Sequence, residues 1–540
     1  MFRITGRLQR GGLIGMSAFG VFYGLLQAAA YNSIAGQTAA ARRAFGQQME
    51  TFGRQYSLVL PLPHGVDTIA GFIQWRVYGA LPILFGIWAL MSAAGATRGD
   101  EERGLVEQWL GAGVSRLRYV VSRFLGFTIS AAIAVTLTST AIDAGAAGAG
   151  SALPLPSVLE VSMALLALTL TVYAITMTTA QLAVSRSAAA GFAGLVVGVM
   201  FFVNGLSRSV DGLEPLARVI SPFYYYDRSQ PLSPVGTFDL AATLALFLAA
   251  SLLTALVVWL MSVRDLGAPL IQLPARRRPF TDRPSPNPLL RIPVLASVYE
   301  LRLGVIGWAV GTAILAFYLA SVGRQTVDLI QGSPGFRAYL TAVGRGDPYV
   351  ALTGFFWFGI ALLLLAVYAI TQVARWSADD NEGRLEMILS APVSRTRMVV
   401  ERAVALVLRL AIIVGVSSAA LYLGGAAANI HFDLGGLTVA SLVLIPFGMT
   451  FAAIGAILAS RAPRATVAVL TAFTFLSYLI TQLGPLLRWP DWALKLSVFN
   501  LYGTPLTSGV DWPGLWIMTA LTLVGFAVAA LLMQRRDVGR

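Results

Sequence analysis

Apolar residues run along this chain in blocks too long for a water-soluble core. A helix that crosses a membrane needs about 20 mostly apolar residues. Charge-free windows that qualify cover residues 11–41, 77–97, 124–142, 161–185, 187–207, 240–263, 303–323, 348–374, 410–432, 434–460, 465–487 and 512–534. These predict twelve membrane helices. One long polar stretch, Arg264 to Arg302, separates the sixth window from the seventh; its Pro, Arg and Ser without apolar periodicity read as a linker. The expected fold is an all-α integral membrane protein in which two parallel six-helix repeats occupy residues 1–265 and 301–540, joined by a cytoplasmic linker and interfacial helix at 266–300.

Composition supports this class. Of 540 residues 56% are hydrophobic and 12% charged, with mean hydropathy +0.72, whereas soluble domains carry about 25% charge. The chain has no cysteine, which removes disulfide scaffolds. The net charge of +13 could suggest nucleic acid. In a membrane chain, however, arginines anchor helix ends beside anionic lipid, so no nucleic-acid partner is expected.

Arginine asymmetry sets the expected orientation. Residues 1–12, 98–118, 184–188, 264–303, 374–397, 460–465 and 535–540 hold 24 Arg in 114 positions, and the opposite loops hold 12 Arg or Lys in 157. Both termini are therefore expected in the cytoplasm of a multi-pass protein of the cell (inner or plasma) membrane. The start, RITGRLQR followed by an apolar run and Ala28-Ala29-Ala30, imitates a signal peptide. Cleavage would break the six-plus-six order, so the segment is read as a retained helix.

An internal repeat stands out against this background. Gly104–Arg123, GLVEQWLGAGVSRLRYVVSR, matches Gly383–Arg402, GRLEMILSAPVSRTRMVVER, at eleven of twenty positions without a gap. The matches include Glu107/Glu386, Ser115/Ser394, Arg116/Arg395, Arg118/Arg397 and Arg123/Arg402, not merely the Leu, Val and Ala shared by any two membrane segments. Both copies follow the second span of their half. Each opens with acids, Asp100-Glu101-Glu102 or Asp379-Asp380-Asn381-Glu382, which suit the positive end of a helix dipole. Each continues as a short amphipathic helix, with Leu105, Trp109 and Leu110 on one face of the first copy and Leu385, Ile388 and Leu389 on one face of the second. Gly111–Gly113 or Pro392 then breaks the helix. Such a helix could be an ordinary interfacial anchor, but anchoring does not call for the same Glu and Ser-Arg positions twice.

Acids, then G-x-x-E-x-x-L-x-x-x-V-S-R and a third span, make a pattern that resembles the permeases of type-2 ABC exporters, most closely the fused twelve-span antibiotic and polyketide exporters. The external Ser221–Tyr226 stretch, SPFYYY, also fits. The resemblance implies a transport subunit rather than an enzyme, working with two copies of a cytoplasmic ABC ATPase that bind ATP and Mg, and carrying no cofactor itself. It further implies that each repeat docks on the ATPase as a coupling helix. The residues concerned are Glu101, Glu102, Gly104, Glu107, Trp109, Leu110, Ser115 and Arg116, and then Asp380, Glu382, Gly383, Glu386, Leu389, Pro392, Ser394 and Arg395.

Other chemistry is poorly represented. A phosphate-cradling loop needs a lysine after its glycines, and the single lysine, Lys495, sits in DWALKLSVF. His64 and His431 stand apart, so a metal site is not expected. No window holds an acid, which disfavours the alternative of a twelve-span ion-coupled secondary transporter; a membrane-embedded enzyme is disfavoured too, for want of a nucleophile or acid pair at depth. Arg402 and Arg409 are expected to snorkel towards the cytoplasmic face. In the resembled family spans two, five, eight and eleven approach the central axis. Phe85, Trp88, Phe201, Phe202, Phe356, Trp357, Phe475 and Tyr478 fall on them, with Asn204 as the polar contact, and could line a path for a small amphipathic substrate.

Overall fold

The computed structural model describes residues 2–55, 60–208, 210, 212–270, 287–330, 347–381, 383–390, 394–484 and 489–536. Among the described residues every regular element is helical and no strand occurs; the chain divides into two compact units, Met1–Arg278 and Pro279–Arg540. Among the described residues, eleven helices are long and apolar enough to cross a membrane. They coincide with eleven of the twelve predicted windows. The remaining window, 465–487, forms a shorter apolar helix, Thr466–Thr481 within Thr466–Leu483. The helix begins just after the turn Ala462 to Ala465 and stops at Leu483, short of the window's end; an added Cβ on Gly484 would lie 2.2 Å from Leu494 and 2.5 Å from the Ile480 carbonyl.

In the first unit, the opening helix Phe2–Ala35 packs along Arg116–Gly148. Without a hydrophobic drive in lipid, such packing depends on small residues that let backbones approach. Gly20 and Gly24 face Thr138 and Ile142, Gly126 faces Thr5, and Gly145 faces Ala28; a Cβ on Gly20 would sit 2.1 Å from the Thr138 hydroxyl. The segment expected as an external loop, 31–77, contains further helix, Ala39–Gln55 and Ile69–Phe72. It is tied down by Tyr31 donating to the Asp67 carbonyl (2.5 Å), Arg42 to Asn32 (3.0 Å) and Arg76 to Gln27 (3.1 Å).

The second span begins with a π-turn at Ile73–Val77 and carries Pro82 inside Tyr78–Ala96. Proline cannot donate to the carbonyl four residues back. That carbonyl, on Tyr78, instead accepts the Tyr226 hydroxyl at 2.8 Å. Tyr226 is wholly buried beyond the spans, and burial pushes its phenol well above the ordinary value, so it stays a donor at physiological pH.

Each unit repeats a set of polar contacts inside its helix bundle. Ser162 donates to Ser139 (2.7 Å) in the first, and Ser418 donates to Ser441 (2.6 Å), the positions 279 residues on. Thr171 reaches the Leu246 carbonyl of its unit's last span (2.9 Å); Thr450 reaches that of Met518 (3.2 Å).

Candidate functional site

The repeated segments form the same construction in each unit. In the first, Thr97 ends the second span and a one-turn helix, Arg98–Glu102, places Asp100 and Glu101 in buried positions. Asp100 is paired with Arg123 of the next span (2.5 Å) and with Arg103 (2.7 Å), and accepts the Tyr119 hydroxyl (2.8 Å). Glu101 is paired with Arg98 (2.7 Å) and with Arg264, the residue that follows the last span. Arg98 also donates to the carbonyls of Ala180 and Ala268, both at 3.0 Å.

In the second unit Asp379 is paired with Arg402 (2.7 Å) and Arg384 (3.3 Å), and Asp380 with Arg536 (2.7 Å), which follows that unit's last span. One acid of each pair thus holds the third span and the other holds the end of the sixth. Arg402, expected to snorkel, is ion-paired. Arg409, expected to do the same, is buried at 2% exposure.

Gly104 (φ 66°) and Gly383 (φ 72°) follow the acids in the left-handed region, where a side chain is strained. This is why the repeat holds glycine there. The short helices Leu105–Gly111 and Arg384–Ser390 come next. Their buried anchors are Val106 and Leu385, 279 residues apart. Trp109, Leu110 and Leu389 are half-buried against their own units, while Ile388, expected on one face with Leu385 and Leu389, is exposed. Glu107 and Glu386 are exposed, as is Met387. Glu102 is also exposed and accepts the Arg186 amide at 2.8 Å, tying the segment to the start of the fifth span. Glu382 and Pro392 lie outside the described residues.

The Ser-Arg pair then has two separable tasks. Ser115 and Ser394 cap the third span, each hydroxyl accepting an amide at 3.2 Å, from Arg118 and Arg397. Arg116 donates to the carbonyls of Met261, Ser262 (3.1 Å) and Arg264 (3.3 Å); Arg395 donates to Met533 (3.1 Å), Gln534 (3.3 Å) and Arg536. The last carbonyls of a helix lack partners within it and carry partial negative charge, so a guanidinium satisfies both needs. Sequence reasoning missed Arg264 and Arg536 as partners. Their signal was position, an arginine within two residues of the end of the final span of each half.

The aromatic residues divide. Phe85 and Trp88 pack edge to face (6.0 Å), Trp88 meets Phe127 (4.9 Å), and Phe127 stacks on Tyr173 (4.1 Å), a continuous ladder within the first unit's core. Phe201 packs on Phe223 (5.2 Å), and Phe202 is exposed. The Asn204 amide donates to Asp227 (2.7 Å), which is also ion-paired with Arg208 (2.6 Å). In the second unit Phe356 packs against Val327 and Leu352, Trp357 is buried, and Phe475 is half-buried. Tyr478 instead lines a cavity of about 690 Å³ with Phe355, Phe358, Leu362, Phe499 and Tyr502. Thr481, Asn500, Thr504 and Thr507 supply its polar positions. The span-eight residues that face this space are therefore neighbours of the expected pair, on the adjoining helix stripe.

A family model described as the multidrug efflux system permease Rv1217c, C-terminal domain, matches residues 2–261 and 290–534. A relative from Mycobacterium tuberculosis (strain ATCC 25618 / H37Rv), the multidrug efflux system permease protein Rv1217c, is 24% identical over 491 residues, covering 87% of this chain and 83% of the relative.

Proposed function

The chain belongs to the multidrug efflux permease family that this model describes, and from that premise we propose that it is the membrane subunit of an ATP-driven ABC exporter for hydrophobic or amphipathic small molecules. Two copies of a separate cytoplasmic ATPase, binding ATP and Mg, dock on the short helices Leu105–Gly111 and Arg384–Ser390, so that both units follow one six-span plan with both termini in the cytoplasm. The observation that carries this reading is the doubled joint. Each short helix leaves an exposed glutamate, Glu107 or Glu386, and its flanking residues grip two spans of its own unit.

The mechanics follow from the joint. A push on the Leu105–Gly111 helix is passed through Asp100 to Arg123 in the third span, and through Arg116 and Glu101 to the end of the sixth. The second unit passes it from Asp379 to Arg402 and from Arg395 and Asp380 to the end of its last span. Hydrophobic cargo is held in the space lined by Phe355, Phe358, Tyr478 and Phe499, whose few hydroxyls and one amide orient it without charge.

The test is the double variant Glu107→Arg, Glu386→Arg. It inserts normally, since both side chains are exposed, but loses substrate-stimulated ATP turnover by the ATPase added to it. Unchanged stimulation in a well-inserted double variant overturns the docking assignment.

A further inference from the structure

Arg409 lies seven residues beyond Arg402 along the same helix, about 10 Å further from the Asp379 joint. It is 2% exposed, and the acceptors that hold it are neutral: Gln372 Oε1 at 3.0 Å, and the Ser297 carbonyl at 3.0 Å and hydroxyl at 2.5 Å. Its Nε has no partner. Among the described residues no carboxylate pairs with it, although Glu300 and Arg375 lie near enough to be felt. A buried charge without a counter-ion is costly. The six-span plan does not demand it, because the positions 279 residues earlier than Arg409, Arg375, Gln372 and Tyr368 are Ser130, Ala96, Ala93 and Ala89.

Reached from this guanidinium through Gln372 is a cavity of about 160 Å³ with a mixed polar and apolar lining: Tyr368, Thr371, Gln372 and Arg375 on one helix, and Leu301, Gly304, Val305 and Trp308 across from them. Tyr368 is 1% exposed, packs edge to face on Trp308 (5.5 Å), and its buried hydroxyl has no hydrogen-bond partner. Arg375, at the rim, forms no ion pair among the described residues. Val305 also lines a second cavity, of about 300 Å³ and mostly apolar, formed by Leu290, Leu295, Val298, Ile306 and Ile412 with Tyr299 and Arg302 at its edge. A phosphate-sized space edged by Arg375 and, through Gln372, by Arg409, next to a chain-sized apolar one, suits an anionic headgroup that carries an acyl chain.

We propose that these neighbouring cavities bind one anionic phospholipid, its phosphate facing Tyr368, Gln372 and Arg375 with Arg409 behind, and one acyl chain lying in the apolar space. The bound phosphate supplies the missing counter-charge of Arg409. The lipid also joins the short helix Pro293–Glu300 to the span beginning at Arg302, and the span 348–381 to both.

The full-length chain is reconstituted in nanodiscs of phosphatidylcholine alone, of phosphatidylcholine with phosphatidylglycerol, and of phosphatidylcholine with inorganic phosphate added. Each sample is extracted into mild detergent, and retained lipid is counted by native mass spectrometry. The wild type retains one phosphatidylglycerol. Tyr368→Phe and Arg375→Gln, which keep Arg409 in place and the fold intact, lower that retention roughly tenfold. Arg409→Gln lowers it further where it inserts. Equal retention by wild type and both rim variants overturns the proposal, as does equal retention of phosphatidylcholine and phosphatidylglycerol. Protection of the wild type against heat by inorganic phosphate, to the same degree as by phosphatidylglycerol, replaces the lipid with a free anion and also overturns it.

Discussion

Asp100 and Asp379 occupy equivalent places in the two joints but differ in burial, and this turns one substitution into an internal comparison. The Asp100 and Arg123 side chains are 3% and 4% exposed, whereas Asp379 and Arg402 are 24% and 20% exposed. Asp100→Asn leaves the Arg123 guanidinium buried without its counter-charge, and breaking a buried pair from one side costs about 3–5 kcal/mol. Asp379→Asn leaves Arg402 able to reach water, and the cost falls towards the ~1 kcal/mol of a partly exposed pair. The two variants should thus differ by at least about 2 kcal/mol, or roughly thirtyfold in the unfolding equilibrium. Reversible unfolding in mixed SDS micelles, followed by tryptophan fluorescence, reads the difference. Replacing both partners with apolar residues, Asp100→Leu with Arg123→Met, should recover most of the loss, because the large penalty belongs to the orphaned charge. Equal destabilisation by Asp100→Asn and Asp379→Asn would refute the reasoning, and so would a double variant no better than Asp100→Asn alone.

Tyr226→Phe should cost about 1–3 kcal/mol by orphaning the Tyr78 carbonyl, and much less in a Pro82→Ala background, where the restored amide takes that carbonyl; the same SDS unfolding resolves both. Gly20→Val should cost about 1–3 kcal/mol by forcing the first and third spans apart at Thr138, seen as a lower thermal midpoint in fluorescence-detected size exclusion. Asp239 caps the sixth span through the Ala242 amide and pairs with Arg228, which lower its pKa in that order. Its stabilisation is therefore complete above the ordinary aspartate value and fades as pH falls through the lowered folded value. Asp239→Ala should cost ~1 kcal/mol at neutral pH and nothing at pH values below that. Single cysteines at 355, 358 and 478, in a chain with no native cysteine, should be protected from a thiol reagent by substrate, whereas one at buried 357 should not react.

The joint was half legible in the sequence. Its acids, glycine, glutamate and Ser-Arg showed because the same chemistry occurs twice at one spacing, and Arg123/Arg402 were among the identities. What the acids grip was not legible: Arg264 and Arg536 are 163 and 156 positions from their partners Glu101 and Asp380, and arginines after a span read as ordinary anchors. Span positions followed directly from apolar run length, except at 465–487, where the helix ends at Leu483 although the apolar run continues past Gly484 in the sequence. Asn204 pointed to a polar demand, but the demand is met by Asp227, which belongs to a segment beyond the span. The aromatic stripe on span eight was displaced by one helical position, because an all-apolar helix gives no periodicity from which to choose the face that lines a cavity.

The central claim is that this chain moves its substrate only when a separate ATPase turns over ATP against it. The direct measurement is uptake of a fluorescent amphipathic drug by inverted proteoliposomes holding the chain, with and without a separate Walker-motif ATPase, with ATP or with an imposed proton gradient. The account predicts uptake that needs both the ATPase and ATP, survives a protonophore, and is lost in Glu107→Arg, Glu386→Arg. Uptake by the chain alone, driven by the proton gradient and abolished by the protonophore, would contradict it.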